Sequence, residues 1–534
     1  MGIIFNKDKR SGITYAYENK AYWDKEKRQS RSHRTLIGRV DADGKIIPTD
    51  GRCRTTPNGK KLTRKRGPVP ITQISRNFYG ATYLFDKICE NTGLQEDLKR
   101  SFPEAWRQIL SIAYFLILDD NGSLMHFPRL SACHSHPYGE VITSQRSSEL
   151  FASLSEDGQR SFFRLQGKRR AEKEYWAYDS TSFSSYSETL KQVKYGKNKE
   201  NDHLPQLNLL LVFGEESGLP FYFRKLAGNI TDVTTVRTLL DELDVLGFGK
   251  VKLVMDRGFY SETNVNRLFQ NHKKFIMATE CSLKYVKSHI AKWKESIREF
   301  GNFSRKDNVY FKTETIQWKY SQERPYKKDV LNDERRLYLH IFYNPQKAVD
   351  EETTLNNRLT ELQAELESGK RIESHVKLYE RFFTVSTGRC GKIIVSANNQ
   401  AIQEAREAHG YFALISNEVK DPLKALATYR TKDVVEKAFG NIKERLNCRR
   451  LLVSSEESLN GKLFVEFIAL IIISYIHKKM QVKALYGKYT MTELLEELEL
   501  VQSYCEPGRA PIIGEILQPQ RELFEAMEVA PPLA

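Results

Sequence analysis

The sequence predicts an α/β protein built on a β-sheet that is covered on both faces. Three observations carry this. Residues 175–279 run as three strands, a helix, a strand, a helix and a strand, each strand short and apolar. Two of those strands carry an aspartate where an apolar sheet disfavours one. Far downstream, the stretch Tyr429 to Lys443 sets an acid and two lysines beside an apolar seam.

At 534 residues the chain has room for about three or four domains of ~100–200 residues each. With 40% hydrophobic and 28% charged residues, the composition is that of a chain able to bury a large core. The net charge of +15 is unevenly placed: residues 1–70 hold 18 Lys and Arg against 7 Asp and Glu. An arm this basic suits a polyanion, either nucleic acid or an anionic membrane surface, and a solubilising tail would read the same way. The seven cysteines are scattered and never spaced as CxxC, which fits a reducing compartment and argues against a zinc module. No apolar secretory run opens the chain.

Residues 1–70 read as short strands and turns, with Asp43-Gly44 as a hairpin signal. Tyr15, Tyr17, Tyr22 and Trp23 give this arm either a small β core or a stacking surface. Lys60 to Arg66 (KKLTRKR) is a linker basic enough to follow a phosphate backbone. From 71 to 170 the pattern is helical, with stripes at Tyr83, Leu84, Ile88, Leu94 and at Trp106, Ile109, Leu110, Ala113, Tyr114. The Cys133-His134-Ser135-His136 cluster lacks a second ligand pair and reads as a loop before Pro137.

Tyr175–Ser182 is an aromatic strand carrying Asp179, which is either a functional acid or an edge-strand acid facing water. Strands follow at Gln206–Phe213 and Pro220–Leu226, then a helix over Asp232–Leu246 capped by Thr231 or Asp232. Lys250–Met255 is a strand ending on Asp256, ahead of Arg257-Gly258; a turn-forming aspartate gives the same local pattern. A helix over Ser261–Phe269 and a strand over Phe275–Thr279 complete the run. Ligands of open α/β sheets gather at the carboxyl ends of strands, so Asp179 and Asp256 can meet at one site.

Between 284 and 405 the pattern changes. Val309–Tyr320 and Arg336–Tyr343 alternate like exposed antiparallel strands, and Leu355, Leu359, Leu362 and Leu366 mark one face of a helical hairpin. Gly410–Asn417 is again a strand, and Asp421-Pro422 is an N-cap and first helical position. Leu463–Ile476, 14 apolar residues interrupted by Glu466, is short for a bilayer and reads as a buried helix.

On one helix advancing 100° per residue, Tyr429, Lys432, Glu436 and Lys443 fall in one stripe, beside Val435, Phe439, Ile442 and Leu446. An ordinary amphipathic helix carries such charges as well, and if Thr431 caps a fresh helix Tyr429 leaves the stripe.

Three acids thus stand in the order Asp179, Asp256, Glu436, an arrangement that resembles the ribonuclease H-like core of DDE transposases. The late helix resembles the Tyr-Arg-Glu-Lys signature (Y-x2-R-x3-E-x6-K) of a large group of bacterial insertion-sequence transposases, with Lys432 in place of its arginine. YDSTS, GNITD (228–232), MDRGF (255–259) and GYFALISN are similar to that group's strand and turn motifs, and the likeness spans 75–520. The resemblance implies an α/β, ribonuclease H-like mixed-sheet core interrupted by a mainly β insertion. It divides the chain into a basic region (1–70), a helical domain (71–170), a core in two parts (171–283 and 406–480) around the insertion (284–405), and a tail (481–534).

The implied function is a DNA transposase that binds terminal inverted repeats, cleaves there and transfers strands. Asp179, Asp256 and Glu436 would be catalytic and would hold two Mg²⁺ (or Mn²⁺) ions, since hard cations favour carboxylates. Tyr429, Lys432, Lys443 and Arg257 would contact DNA, with Lys60, Lys61, Arg64, Lys65 and Arg66 along the linker. The implied partners are repeat and target DNA and a second copy or more of the chain in the synapse, in the bacterial cytoplasm at the nucleoid, with no membrane. A nuclease without strand transfer, or an inactive DNA-binding descendant, are the rival functions.

Overall fold

The computed structural model describes the chain except residues 1, 9–11, 26, 42–43, 49–73, 120–122, 170–173, 186, 188–189, 197–203, 249–250, 325–328, 388–392, 433–439, 441–452, 454, 507–509 and 534. It contains two compact units, one of Met1–Asn77 with Gln502–Glu515, the other of Phe78–Val501 with Ile516–Leu533.

In the first unit, β1 (Gly2–Lys7), β2 (Thr14–Asp24), β3 (Gln29–Val40) and β4 (Ile46–Pro48) form an antiparallel sheet in sequential order. The turn into β4 contains Gly44 at φ +76°, a left-handed conformation that favours glycine at the expected hairpin. The sheet buries little. Ala16 is fully covered, but Tyr22 and Trp23 are 52% and 63% exposed, so at the far end of β2 the aromatic residues form a surface and not a core. β5 (Ser75–Phe78) belongs to a separate three-stranded sheet with Gln502–Cys505 and Ile512–Ile513.

The second unit opens with six helices between Gly80 and Lys168, in the region the apolar stripes mark as helical. They pack around the helix Glu456–Val482, where Phe102, Phe162 and Phe163 surround Phe464 at ring separations of 5.2, 5.3 and 6.1 Å. Gly461 lets the chains touch, since a Cβ there would stand 2.0 Å from the Phe151 carbonyl oxygen. This helix has 27 residues, longer than its apolar centre, and 83% of its most apolar window is buried. Glu466 is tolerated inside because the Lys462 ammonium, one turn back, lies 3.7 Å away.

The central sheet takes β6 (Tyr175–Ser184), β7 (Gln206–Gly214), β8 (Pro220–Ala227), β9 (Lys252–Met255), β10 (Lys274–Thr279), β11 (Phe303–Ser304), β12 (Val309–Arg324) and β13 (Asp329–Tyr343). β14 (Phe383–Thr387) and β15 (Ile393–Ala397) pair with each other, and β16 (Tyr411–Ser416) returns to the centre. The sheet order is β11-β12-β13-β16-β10-β9-β6-β7-β8. β6, β7 and β8 form an antiparallel meander, while β9 is parallel to β6 and β10 to β9. Those parallel steps need crossovers, supplied by the helices Asp232–Val245 and Glu262–Gln270.

One expectation changes here. Arg336–Tyr343 is not an exposed strand: Leu337–Tyr343 is buried throughout, because other segments cover it, as where Phe342 packs with Val419, Ala425 and Leu426. The helix Pro345–Glu367 and the short helix Val376–Phe382 after it share a local core, in which the four leucines meet Tyr379, Phe382, Phe383 and Ile402.

Candidate active site

The register of the parallel strands sets up the site. Tyr175, Trp176, Ala177 and Tyr178 of β6 pair with Lys252, Leu253, Val254 and Met255 of β9. One residue further along each strand stand Asp179 and Asp256, on backbones that a sheet spaces about 4.8 Å apart. β6 lies between β9 and β7, so Asp179 is not on an edge strand. Because side chains alternate, Asp179 shares a face with Tyr175 and Ala177. Tyr175 packs, with Ile276 and Ala278, against Ala425, Leu426 and Tyr429 of the helix Pro422–Arg430. That helix starts as its sequence requires, with the Asp421 carboxylate accepting the Leu423 and Lys424 N–H groups and Pro422 in the first turn.

The opposite face is tied down separately. The Tyr178 hydroxyl donates to Thr235 Oγ1 at 2.7 Å, and the Ser180 hydroxyl donates to the Asp232 carboxylate. Thr231 occupies the N-cap position of that helix without a side-chain cap bond. Asp232, weighed from the sequence only as a cap, instead holds the residue next to Asp179. Its place in GNITD, just before an apolar helix, was the available signal.

Tyr429 and Lys432 converge on Asp256. The Tyr429 hydroxyl donates to Asp256 Oδ1 at 2.6 Å, and the Lys432 ammonium lies 3.7 Å from Oδ2. The ammonium is also 5.5 Å from the Tyr429 ring centre. They do not meet as a stripe on one continuous helix, as the spacing suggested. The helix ends at Arg430, and Thr431 and Lys432 form a turn. Thr431 donates its hydroxyl back to the Thr428 carbonyl, a side-chain bond that competes with helical continuation. Arg430 is no substitute for the signature arginine, since its guanidinium binds Asp307 at 2.7 Å. Glu436 and Lys443 lie outside the described residues, as do Lys60, Lys61, Arg64, Lys65 and Arg66.

Burial pushes the Asp256 carboxyl up, but the Tyr429 hydroxyl, the Lys432 ammonium and the Arg257 backbone and side chain outweigh it. They hold the group below the ordinary carboxylate value. Ionised Asp256 therefore contributes stability that is fully present above its unfolded pKa of about 3.9 and is lost as pH falls through its lower native value. Tyr429→Phe removes one of the lowering contacts, so Asp256 is expected to titrate at higher pH than in the wild type. The carboxyl carbon shift of metal-free protein reads this directly, and an unchanged midpoint would deny the hydroxyl any part.

A cavity of about 840 Å³ opens beside this cluster, with Asp256, Arg257, Tyr429, Lys347, Arg358 and Tyr411 on its wall. Among the described residues, His409 Nδ1 and Tyr411 Oη are buried there without a hydrogen-bond partner, which suits a polar occupant. The donors fit a hard cation: two carboxylates on adjacent strands repel each other unless positive charge lies between or beside them. Among the described residues no three His, Cys, Asp or Glu side chains cluster to hold a metal; the third acid of the expected set is Glu436.

The chain belongs to the transposase DDE domain family, which it matches over residues 171–472, more than half its length. That membership makes it a DNA transposase in the general sense, with phosphodiester cleavage and transfer as its chemistry and divalent metal ions as the family's usual cofactor. Among solved structures, the cryo-EM structure of the piggyBac transposase synaptic complex with hairpin DNA is similar at 12% identity, over 82% of each chain, with a TM-score of 0.36. No curated protein matches the chain.

Proposed function

We propose that this protein binds the terminal inverted repeats of a mobile element, cleaves the DNA there and joins the ends to target DNA. The observation that carries the reading is the pair Asp179, within β6, and Asp256, just past the end of the parallel neighbour β9, with Tyr429 and Lys432 delivered onto Asp256 from the facing helix and the turn after it. The meander followed by two parallel crossovers supports a ribonuclease H-like core, with 284–405 as the segment inserted into it. Asp179, Asp256 and Glu436 would hold two Mg²⁺ or Mn²⁺ ions, which when bound supply Lewis-acid activation of the attacking and leaving oxygens. The chain's own groups bind and orient. Lys432, Lys443 and Arg257 neutralise phosphates near the cleaved bond, and Tyr429 fixes the direction of the Asp256 carboxylate. Element ends are paired by two or more copies of the chain, in the bacterial cytoplasm at the nucleoid. A strand-transfer assay with matched ends tests the whole reading. Joined products support it, cleavage without joining indicates a nuclease, and binding alone indicates an inactive descendant.

The N-terminal sheet adds affinity. It presents Tyr22 and Trp23 to solvent near Lys20 and Arg31, and the KKLTRKR linker follows it in the sequence. Each phosphate neutralised contributes a slope of about −0.9 to log K against log salt. Deleting residues 1–66 is expected to weaken end binding and flatten the salt dependence, while metal-dependent nicking persists at high protein concentration. Unchanged affinity and slope in a salt titration would assign end recognition to 71–170.

A further inference from the structure

We infer that Lys432 is a latch on Asp256 that keeps this carboxylate from a metal ion until a DNA phosphate draws its ammonium away. The inference rests on the reading of Asp256 as a metal ligand. Both carboxylate oxygens face protein donors: Oδ1 takes the Tyr429 hydroxyl at 2.6 Å, and Oδ2 has the Lys432 ammonium at 3.7 Å. Lys432 is only 8% exposed, so its charge is held in place and weakly screened by water.

A divalent cation on Asp256 would sit about 2.1 Å from a carboxylate oxygen, and so within a few ångströms of that ammonium. Two positive charges at such range repel strongly wherever the dielectric is below that of water. Metal therefore enters only as Lys432 leaves Oδ2. A lysine side chain is long and rotatable, and a phosphate entering the cavity beside Asp256 offers its ammonium an alternative anion. The ammonium cannot serve both at full strength. Phosphate and metal consequently favour each other's binding, and the coupling is reciprocal. The Tyr429 hydroxyl, uncharged, orients the carboxylate without this competition.

The test is Mn²⁺ binding to the full-length protein, followed by electron paramagnetic resonance, with and without a DNA duplex carrying the element end. The wild type is expected to bind Mn²⁺ at least about tenfold more tightly with DNA than without. Lys432→Met is expected to reach the tighter affinity without DNA and to gain little from adding it. Lys432→Arg, which keeps the charge, should retain the coupling. Circular dichroism and thermal melts confirm that each variant is folded. The latch is overturned if Lys432→Met binds Mn²⁺ no better than the wild type, or if DNA tightens both proteins equally. Asp256→Asn separates the two levels of the claim. If it leaves Mn²⁺ affinity unchanged, the metal-ligand reading of Asp256 fails and the latch with it. If it abolishes binding while Lys432→Met behaves as the wild type, only the latch fails.

Discussion

Replacing Asp256 by Asn should lower DNA cleavage by about a thousandfold or more, and Asp179→Asn should do the same. A single preorganised group that stabilises charge in a transition state is typically worth about 10²–10³ in rate, and a carboxylate that holds a metal supports the whole of its contribution. The substitution keeps shape and removes charge. Binding of an end-bearing duplex should therefore stay within about threefold of the wild type or tighten slightly, since one negative charge near the phosphates is lost. Single-turnover cleavage of a labelled end, beside a binding isotherm at fixed salt, separates the two effects. Cleavage that survives in both Asp179→Asn and Asp256→Asn would remove this pair of acids from the chemistry. Parallel loss of cleavage and binding would mean that these residues serve the fold and not the reaction.

Phe464→Ala should cost about 3–5 kcal/mol of stability, the range for emptying an aromatic site in a packed core. Phe464 is fully buried and meets Phe102, Phe162 and Phe163 from the helical region. One turn on, Phe467 packs with its ring centre 5.1 Å from that of Phe223 in β8, so the same helix supports the central sheet. Loss of the ring leaves a cavity where the helices and the sheet are held together. Phe464→Leu refills most of that volume and should cost clearly less. Urea unfolding of the two variants gives the comparison. A cost below about 1 kcal/mol for Phe464→Ala would show that the surrounding rings collapse into the gap.

Much of this architecture is written locally. Apolar runs bounded by Gly, Asp and Asn placed β6 through β10 within a few residues of their observed limits, and the Asp421-Pro422 pair started the helix that faces the site. The order of elements also placed Asp179 in one strand and Asp256 at the carboxyl end of another, where the apolar run of β9 stops, and the two stand one residue beyond the paired stretch of β6 and β9. Local period and capping chemistry depend on residues a few positions apart, which is why one sequence suffices for them.

What the sequence did not contain is who meets whom across the fold. The helical spacing of Tyr429 and Lys432 suggested one stripe, yet the helix stops at Arg430, and both side chains find Asp256, more than 170 residues earlier. Leu337–Tyr343 alternates like an exposed strand but is buried, because segments far along the chain, among them Val419, Ala425 and Leu426, pack over it. Ser180 and Asp232 likewise join only when the crossover helix lies on the sheet. Periodicity states which face of an element is apolar. Only the tertiary structure decides which distant polar group shares a buried position with another, because a desolvated carboxylate takes whatever donors the packing of the chain brings within reach.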